Sequence, residues 1–178
     1  MNDIAAGSAT FLDDGTMAAW LAPILAARGT MLDAAQVAAR DRLQQLALAL
    51  RAFRAARQST LTKIFAPPEV PRGVYLWGGV GRGKSLLMDG FFATVAIRRK
   101  TRVHFHAFMR DVHEDLARLK REPDPLATVA ARIARKWRLI CFDEFHVADI
   151  ADAMILGRLL EGLFRHGIVL VMTTNYAP

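Results

Sequence analysis

The first strong pattern along the chain is helical and covers residues 32–58. The apolar residues that would share one face of this helix, at spacings of three and four, are Leu43, Leu46, Leu50 and Phe53. Asp33 is a suitable N-cap for its start, and Arg54 and Arg57 near its end suit the helix dipole. Residues 1–30 are weakly patterned, and we expect them to be partly loose.

Prolines at 67, 68 and 71 end the helical pattern and form a stiff connector. We therefore divide the chain into an N-terminal helical segment, residues 1–68, and a core, residues 69–178. In the core, short apolar runs alternate with helical segments. The runs predicted to be strands are 74–77, 102–105, 139–142 and 168–172, and the predicted helices are 84–97, 109–120, 125–136 and 150–165. Such alternation predicts an α/β fold with a parallel sheet covered by helices on both faces.

A glycine-rich segment joins the first predicted strand of the core to its first helix. Residues 78–85 fit the pattern G-x-x-x-x-G-K-[ST], and the residues expected to contact nucleotide are Gly78, Gly79, Val80, Gly81, Arg82, Gly83, Lys84, Ser85 and Leu86. Glycines let successive N–H groups point at phosphate oxygens, and the following helix adds the positive end of its dipole. We predict that Lys84 reaches the β- and γ-phosphates of ATP and that Ser85 binds Mg²⁺. The strand before the loop and the helix after it favour this interpretation over a glycine-rich turn without ligand.

Two adjacent carboxylates, Asp143 and Glu144, follow the apolar strand 139–142. Unpaired carboxylates at a sheet edge repel each other, and a Mg²⁺ ion with a bound water would explain the pair. We predict that Asp143 holds the metal's water shell and that Glu144 orients or deprotonates the attacking water. The glutamate favours a hydrolase over a kinase.

Polar residues also follow the last predicted strand, at positions 173–175. In a parallel sheet they would lie at the same carboxyl edge as the other two motifs. We predict that Asn175 hydrogen-bonds the attacking water or the γ-phosphate, and we count it with Glu144 and Lys84 as catalytic. The alternative is an ordinary exit from strand to loop.

Four histidines and one tryptophan each have a functional and a structural interpretation. His104 and His106 would share a face of the second strand, and with His113 they could bind zinc. The favoured interpretation is that these histidines pack against other side chains or relay a contact from the sheet edge. His146 would lie near the γ-phosphate or on a surface loop. We expect Trp77 to pack in the core rather than to stack on adenine.

Charge and composition narrow the class of protein. The net charge of +7 favours acidic partners, although most of the arginines belong to solvated helix faces, so nucleic-acid binding is a minor alternative. No apolar run is long enough to cross a bilayer and no secretory signal is visible, so we expect a soluble, cytoplasmic protein without an integral membrane segment. The single cysteine, Cys141, excludes a disulfide framework.

Longer motifs carry a family resemblance. The runs RVHFHAFM at 102–109, CFDEFHVADIADAMIL at 141–156 and LVMTTNYAP at 170–178 resemble the AFG-like AAA ATPases, and residues 32–36 resemble the start of their N-terminal helix. The resemblance implies an AAA-type P-loop fold with ATP and Mg²⁺ as cofactors. It further implies that Lys84 and Ser85 are Walker A residues, that Asp143 and Glu144 are Walker B residues, and that Asn175 is sensor 1.

The same resemblance implies partners. Its bacterial branch acts on the FtsZ division ring, whereas mitochondrial members are linked to the turnover of respiratory-chain subunits. No transit peptide is visible, which favours the bacterial branch. Family members continue past residue 178, so we expect a fifth strand, an arginine finger acting in trans within a homo-oligomer, and a lid region to lie beyond it. Two alternatives stay open: an ATPase associated with nucleic acid, such as a helicase loader, and a nucleotide-gated interaction module that does not hydrolyse ATP.

Overall fold

The computed structural model describes residues 16–58, 68–147 and 149–177. Within these ranges the helices are α1 (Met17–Ala27), α2 (Ala34–Gln58), α3 (Lys84–Thr94), α4 (Phe105–Arg118), α5 (Pro125–Lys136) and α6 (Ile150–Arg165). The strands are β1 (Val74–Trp77), β2 (Lys100–His104), β3 (Leu139–Asp143) and β4 (Val169–Thr174). None of these helices is long and apolar enough to cross a membrane.

The strands of the described residues form one parallel sheet in the order β1-β4-β3-β2. Trp77 pairs with Thr174 at the end of β1 and β4, and His104 pairs with Asp143 at the end of β2 and β3. Because all pairs are parallel, the carboxyl ends of the strands share one edge of the sheet. The predicted α/β fold with helices around a parallel sheet is confirmed.

Helices cover both faces of the sheet. Leu139 and Cys141 pack with α1, α2 and α3, whereas Ile140 and Phe142 pack with α4, α5 and α6. These four residues of β3 are all 0% exposed, which explains why this strand reads as an unbroken apolar run. Burial raises the pKa of the Cys141 thiol to about 12, so this thiol stays protonated and unreactive at neutral pH.

Several predicted helix ends match the structure. The side chain of Asp124 caps α5 by accepting from Ala127 N at 3.1 Å, and that of Asp149 caps α6 by accepting from Ala151 N at 2.8 Å. Gly167 follows α6 in the left-handed region at φ +72°, where a side chain would be strained.

Helix α1 lies in the segment that was expected to be partly loose, and for residues 17–27 that expectation was wrong. The side chain of Thr16 caps the helix, and Met17 and Leu21 are 0% and 1% exposed. Its sequence, MAAWLAPILAA, is apolar on every side, so no contrast between faces marks it as a helix. Residues 1–15 lie outside the described ranges.

The boundary between β2 and α4 also differs from the prediction. The strand ends at His104 and the helix begins at Phe105, whereas the apolar run 102–105 predicted a strand and residue 109 a helix start. Phe105, Phe108, Met109 and Val112 are buried with the spacing of a helix face, so Phe105 belongs to the helical pattern. Helix α3 ends at Thr94 rather than near residue 97, because Val95 is extended.

Replacing Leu21 with alanine should lower the free energy of unfolding by about 2–4 kcal/mol, since it empties a buried position that joins α1 to the core. The measurement is urea unfolding followed by circular dichroism. Leu48→Ala is the matched control, because Leu48 is 56% exposed and its loss should change stability by less than about 0.5 kcal/mol. Equal stability of the two variants would show that α1 is not part of the folded core.

Candidate nucleotide-binding site

The three motifs predicted from the sequence meet at the carboxyl edge of the sheet. The glycine-rich loop follows β1, Asp143 ends β3, and Asn175 follows β4. Strand β4 lies between β1 and β3, so the segment that carries Asn175 lies between the loop and the two carboxylates. The strand order therefore determines which functional residues are neighbours.

The loop conformation depends on glycine. Gly81 and Gly83 have φ of +78° and +73°, in the left-handed region that L side chains rarely adopt. Gly83 is the N-cap of α3 and offers no side chain to its first N–H groups. Such free N–H groups at a helix start bind anions well, so the loop suits phosphate. Ser85 follows in the first turn of α3 with an exposed side chain.

The ammonium group of Lys84 links the loop to the end of β4. Its Nζ donates to Gly78 O at 2.5 Å, to Gly79 O at 2.7 Å and to Asn175 Oδ1 at 2.9 Å. Burial lowers the pKa of Lys84, which reflects the partial loss of its hydration. These contacts hold a positive charge inside the loop, where phosphate oxygens would take the place of the protein acceptors.

Asp143 is paired with an arginine that the sequence analysis did not single out. Arg102 on β2 donates from Nε to Asp143 Oδ2 at 2.6 Å and from Nη2 to Oδ1 at 3.2 Å, and its Nη1 donates to Asp89 on α3. Burial acts to lower the pKa of Arg102, but the hydrogen bonds and charges of the two carboxylates outweigh it and raise the pKa. In the described part of the chain, no hydrogen bond joins Ser85 to Asp143.

The backbone of Glu144 is strained. Its φ is +54°, in the left-handed region that costs a side-chain-bearing residue roughly 1–2 kcal/mol. Thr173 fixes this turn, because its Oγ1 accepts from Glu144 N at 3.2 Å and its carbonyl accepts from Phe145 N at 2.7 Å. The turn leaves the Glu144 side chain 74% exposed, and its Oε2 lies 3.9 Å from His104 Nδ1. Strained residues of this kind cluster at functional sites.

A cavity of about 630 Å³ adjoins the loop, in the size range of small-molecule sites. Asp33, Gln36, Tyr75 and Trp77 contribute to its lining. Asp33 and Gln36 cap α2 reciprocally, with bonds of 2.8 and 2.9 Å between each side chain and the other's backbone N–H. Gln36 Nε2 also donates to Arg82 O at 3.2 Å, which ties the start of α2 to the glycine-rich loop.

The sequence as a whole was then compared with known proteins. The family model of the AFG1-like ATPases matches residues 16–178, which include every described element. The chain belongs to the AFG1-like ATPase family. The predicted family resemblance is therefore confirmed.

Two relatives illustrate the match. A segment of 107 residues is 52% identical to cell division protein ZapE of Escherichia coli strain K12, and it covers 60% of this chain and 28% of that protein. A segment of 122 residues is 50% identical to lactation elevated protein 1 homolog B of Danio rerio, and it covers 62% of this chain and 24% of that protein. The chain thus spans well under half the length of the curated relatives that it matches.

The fold also has a counterpart among solved structures. AMPPCP-bound DnaA from Aquifex aeolicus aligns with a TM-score of 0.53 at 12% identity, over 84% of this chain and 41% of that one. At this identity the likeness concerns the fold alone, and it supports the AAA-type P-loop architecture of this AFG1-like ATPase.

The predicted arrangement of the histidines was wrong. His104 ends β2 and His106 lies in the first turn of α4, so they do not share a strand face. His113 Nε2 lies 2.6 Å from Asp152 Oδ1 and joins α4 to α6. Within the described ranges, no three His, Cys, Asp or Glu side chains are grouped so as to hold a metal ion. A Mg²⁺ site needs no such group, because Mg²⁺ takes one or two carboxylates together with phosphates and waters.

Trp77 does not pack in the core as expected. Its side chain is 60% exposed, because β1 is an edge strand and Trp77 and Tyr75 alternate with the buried Val74 and Leu76. His146 is exposed and stacks on Tyr176, with ring centroids 4.7 Å apart.

Glu144→Gly should raise the free energy of unfolding by about 0.5–1 kcal/mol, because it removes the left-handed strain at some cost in chain entropy. Denaturant unfolding measures the change. Glu144→Gln is the matched control, since it keeps the strained backbone and should unfold within about 0.5 kcal/mol of the native protein. If both variants unfold at the same denaturant concentration, the backbone of Glu144 carries no strain.

Proposed function

We propose that this chain binds Mg-ATP at the carboxyl edge of its sheet and hydrolyses it, as the nucleotide-binding part of a longer AFG1-like ATPase. The observation that carries the proposal is the position of Lys84, whose ammonium joins the glycine-rich loop to Asn175 at 2.9 Å. A P-loop lysine placed beside the polar end of a neighbouring strand suits a γ-phosphate and its attacking water.

In this proposal the phosphates bind the N–H groups of the loop and the start of α3. Lys84 exchanges its contacts with Gly78 O and Gly79 O for phosphate oxygens. The Ser85 hydroxyl and the Asp143 carboxylate are hard oxygen donors of the kind that Mg²⁺ prefers, and they are the residues that would hold it. The bound ion would neutralise part of the negative charge on the phosphates.

Glu144 is the group proposed to activate water. Its side chain projects from the fixed turn into the open edge of the sheet, and it is not tied to a strong cation as Asp143 is. A carboxylate in this position accepts a proton from water or orients it. Asn175, held by Lys84, would report the presence of the γ-phosphate to β4.

The adjoining cavity is proposed to hold the base and ribose. It is continuous with the loop through Gly79 and Lys84, and it offers the exposed ring of Trp77 as an apolar surface. Aromatic rings stack well on bases. Gln36 and Asp33 add polar groups to its lining.

For the whole protein we propose a role in cell division, because a segment covering 60% of the chain is 52% identical to a cell division protein. The FtsZ ring in the cytoplasm is the proposed target, and a homo-oligomer with an arginine finger in trans is the proposed active form. An arginine finger raises the rate of phosphoryl transfer by several orders of magnitude, so hydrolysis should be measured on the full-length protein.

Lys84→Ala should weaken ATP binding at least tenfold, because it removes charge-assisted contacts to phosphate. Isothermal titration calorimetry with ATP measures the affinity. The control is Lys120→Ala, which removes an exposed charge just beyond α4 and should leave ATP affinity unchanged. ATP affinity that survives Lys84→Ala would place the nucleotide elsewhere.

Glu144→Gln should retain ATP affinity within about threefold and lower kcat at least about 100-fold, since the amide cannot accept the proton of water. The steady-state rate of phosphate release measures kcat. Glu161→Gln removes a carboxylate paired with Arg165 on the outer face of α6 and should leave kcat unchanged. Wild-type turnover in the Glu144→Gln variant would remove Glu144 from the mechanism, and binding without turnover in the wild type would favour a non-hydrolysing module.

A further inference from the structure

Arg102 joins carboxylates from two different elements beside the proposed metal ligands. Its guanidinium meets both oxygens of Asp143, at 2.6 and 3.2 Å, and a third donor meets Asp89. Asp89 lies one helical turn after Ser85 on α3, so it shares a face with that residue. We refer to Arg102, Asp89 and Asp143 as the Arg102 clamp.

Water only partly screens the charges of the Arg102 clamp, because two of its three side chains are mostly buried. The side chains of Arg102 and Asp143 are 22% and 14% exposed, whereas Asp89 is 47% exposed. Two carboxylates and one guanidinium leave a formal charge of about −1, so the arginine offsets half of the negative charge at this position. Side-on pairing engages both oxygens of Asp143, and it is the strong, orienting geometry for an arginine and a carboxylate.

A divalent cation would compete with Arg102 for the same carboxylate. Placed against Asp143, it would lie within contact range of the guanidinium, and two positive groups this close repel each other strongly when water is partly excluded. The repulsion is offset once the phosphates of a nucleotide bring several negative charges to the adjacent loop. Asp89 then offers a second acceptor that can keep the guanidinium in place.

We propose that Arg102 is a positioning residue that restricts divalent metal binding at Asp143 to the nucleotide-bound protein. Without nucleotide it satisfies and orients the Asp143 carboxylate, and with nucleotide it is retained by Asp89 while Asp143 is released to the metal. This inference rests on the proposed function, because it assumes phosphates in the glycine-rich loop. It explains why an arginine lies in β2, between two carboxylates.

The test uses Mn²⁺ as the probe ion and measures free Mn²⁺ by electron paramagnetic resonance in the full-length, nucleotide-free protein. Arg102→Gln should lower the Kd for Mn²⁺ at least tenfold, because Asp143 and Asp89 lose the cation that they share. Arg40→Gln is the matched control, since it removes one positive charge from a surface pair with Asp41. A Kd for the Arg102→Gln variant within twofold of the wild type, or of this control, would overturn the proposal.

A second pair of variants distinguishes the proposed effect of Arg102 on metal binding from a purely structural role of this residue. Asp143→Asn combined with Arg102→Gln should return the Kd for Mn²⁺ to the wild-type value, because the gained affinity belongs to Asp143. Arg102→Lys keeps the charge but lacks the planar fork, so its Kd should be about threefold below that of the wild type. If Arg102→Gln does not fold, Arg102→Lys decides: an unchanged Kd contradicts the proposal.

The same measurement with a non-hydrolysable ATP analogue completes the test. The analogue should tighten Mn²⁺ binding in both proteins, because its phosphates are metal ligands, but by about tenfold more in the wild type than in Arg102→Gln. An equal effect of the analogue on both proteins contradicts the restriction to the nucleotide-bound state. If calorimetry shows that the analogue does not bind at all, the proposed ATP site fails, and the nucleotide-free comparison alone then decides the role of Arg102.

Discussion

The constraint on which the rest of the structure depends is the parallel pairing of β1, β4 and β3 with helices on both faces. It requires the two inner strands, β4 and β3, to bury residues on both sides, as Leu139 and Cys141 do on one face and Ile140 and Phe142 on the other. It also directs all carboxyl ends to one edge of the sheet. Strand order therefore brings together segments that are far apart in the sequence. The side chains at the shared edge can be polar.

Polar groups at this edge are stabilised in three different ways. Lys84 is satisfied by loop carbonyls and Asn175, Asp143 is paired with Arg102, and Glu144 is held in a strained turn by Thr173. The first arrangement hydrogen-bonds a positive charge to neutral oxygens, the second pairs a carboxylate with a cation, and the third leaves a carboxylate exposed at some cost in backbone free energy. In the proposed function, phosphate oxygens and a metal ion replace some of these contacts.

The sequence alone predicted the bounds of helices in which apolar residues recur at helical spacing and a capping residue marks the start. Helices α5 and α6 have side-chain caps at Asp124 and Asp149, and their predicted bounds agree with the structure. The glycine-rich loop and the Asp143–Glu144 pair were also located, because both motifs are local in sequence and are flanked by the elements that they require.

Other features needed tertiary information. Helix α1 is apolar all round, so its burial against α3 was not visible as an amphipathic pattern; Gly90 on α3 lies close to Trp20. Trp77 became exposed because β1 is at the sheet edge, a property of strand order rather than of local sequence. Arg102 is separated from Asp143 by two helices and was recognisable only once β2 and β3 paired in register.

The central claim, that the glycine-rich loop and the strand ends beside it form one nucleotide site, is tested most directly by an amide NMR titration of the chain with ATP. The account predicts the largest shifts at Gly81, Gly83 and Ser85, together with a change in the side-chain amide of Asn175 as Lys84 releases it. Shifts confined to another surface, with Asn175 unchanged, would contradict it.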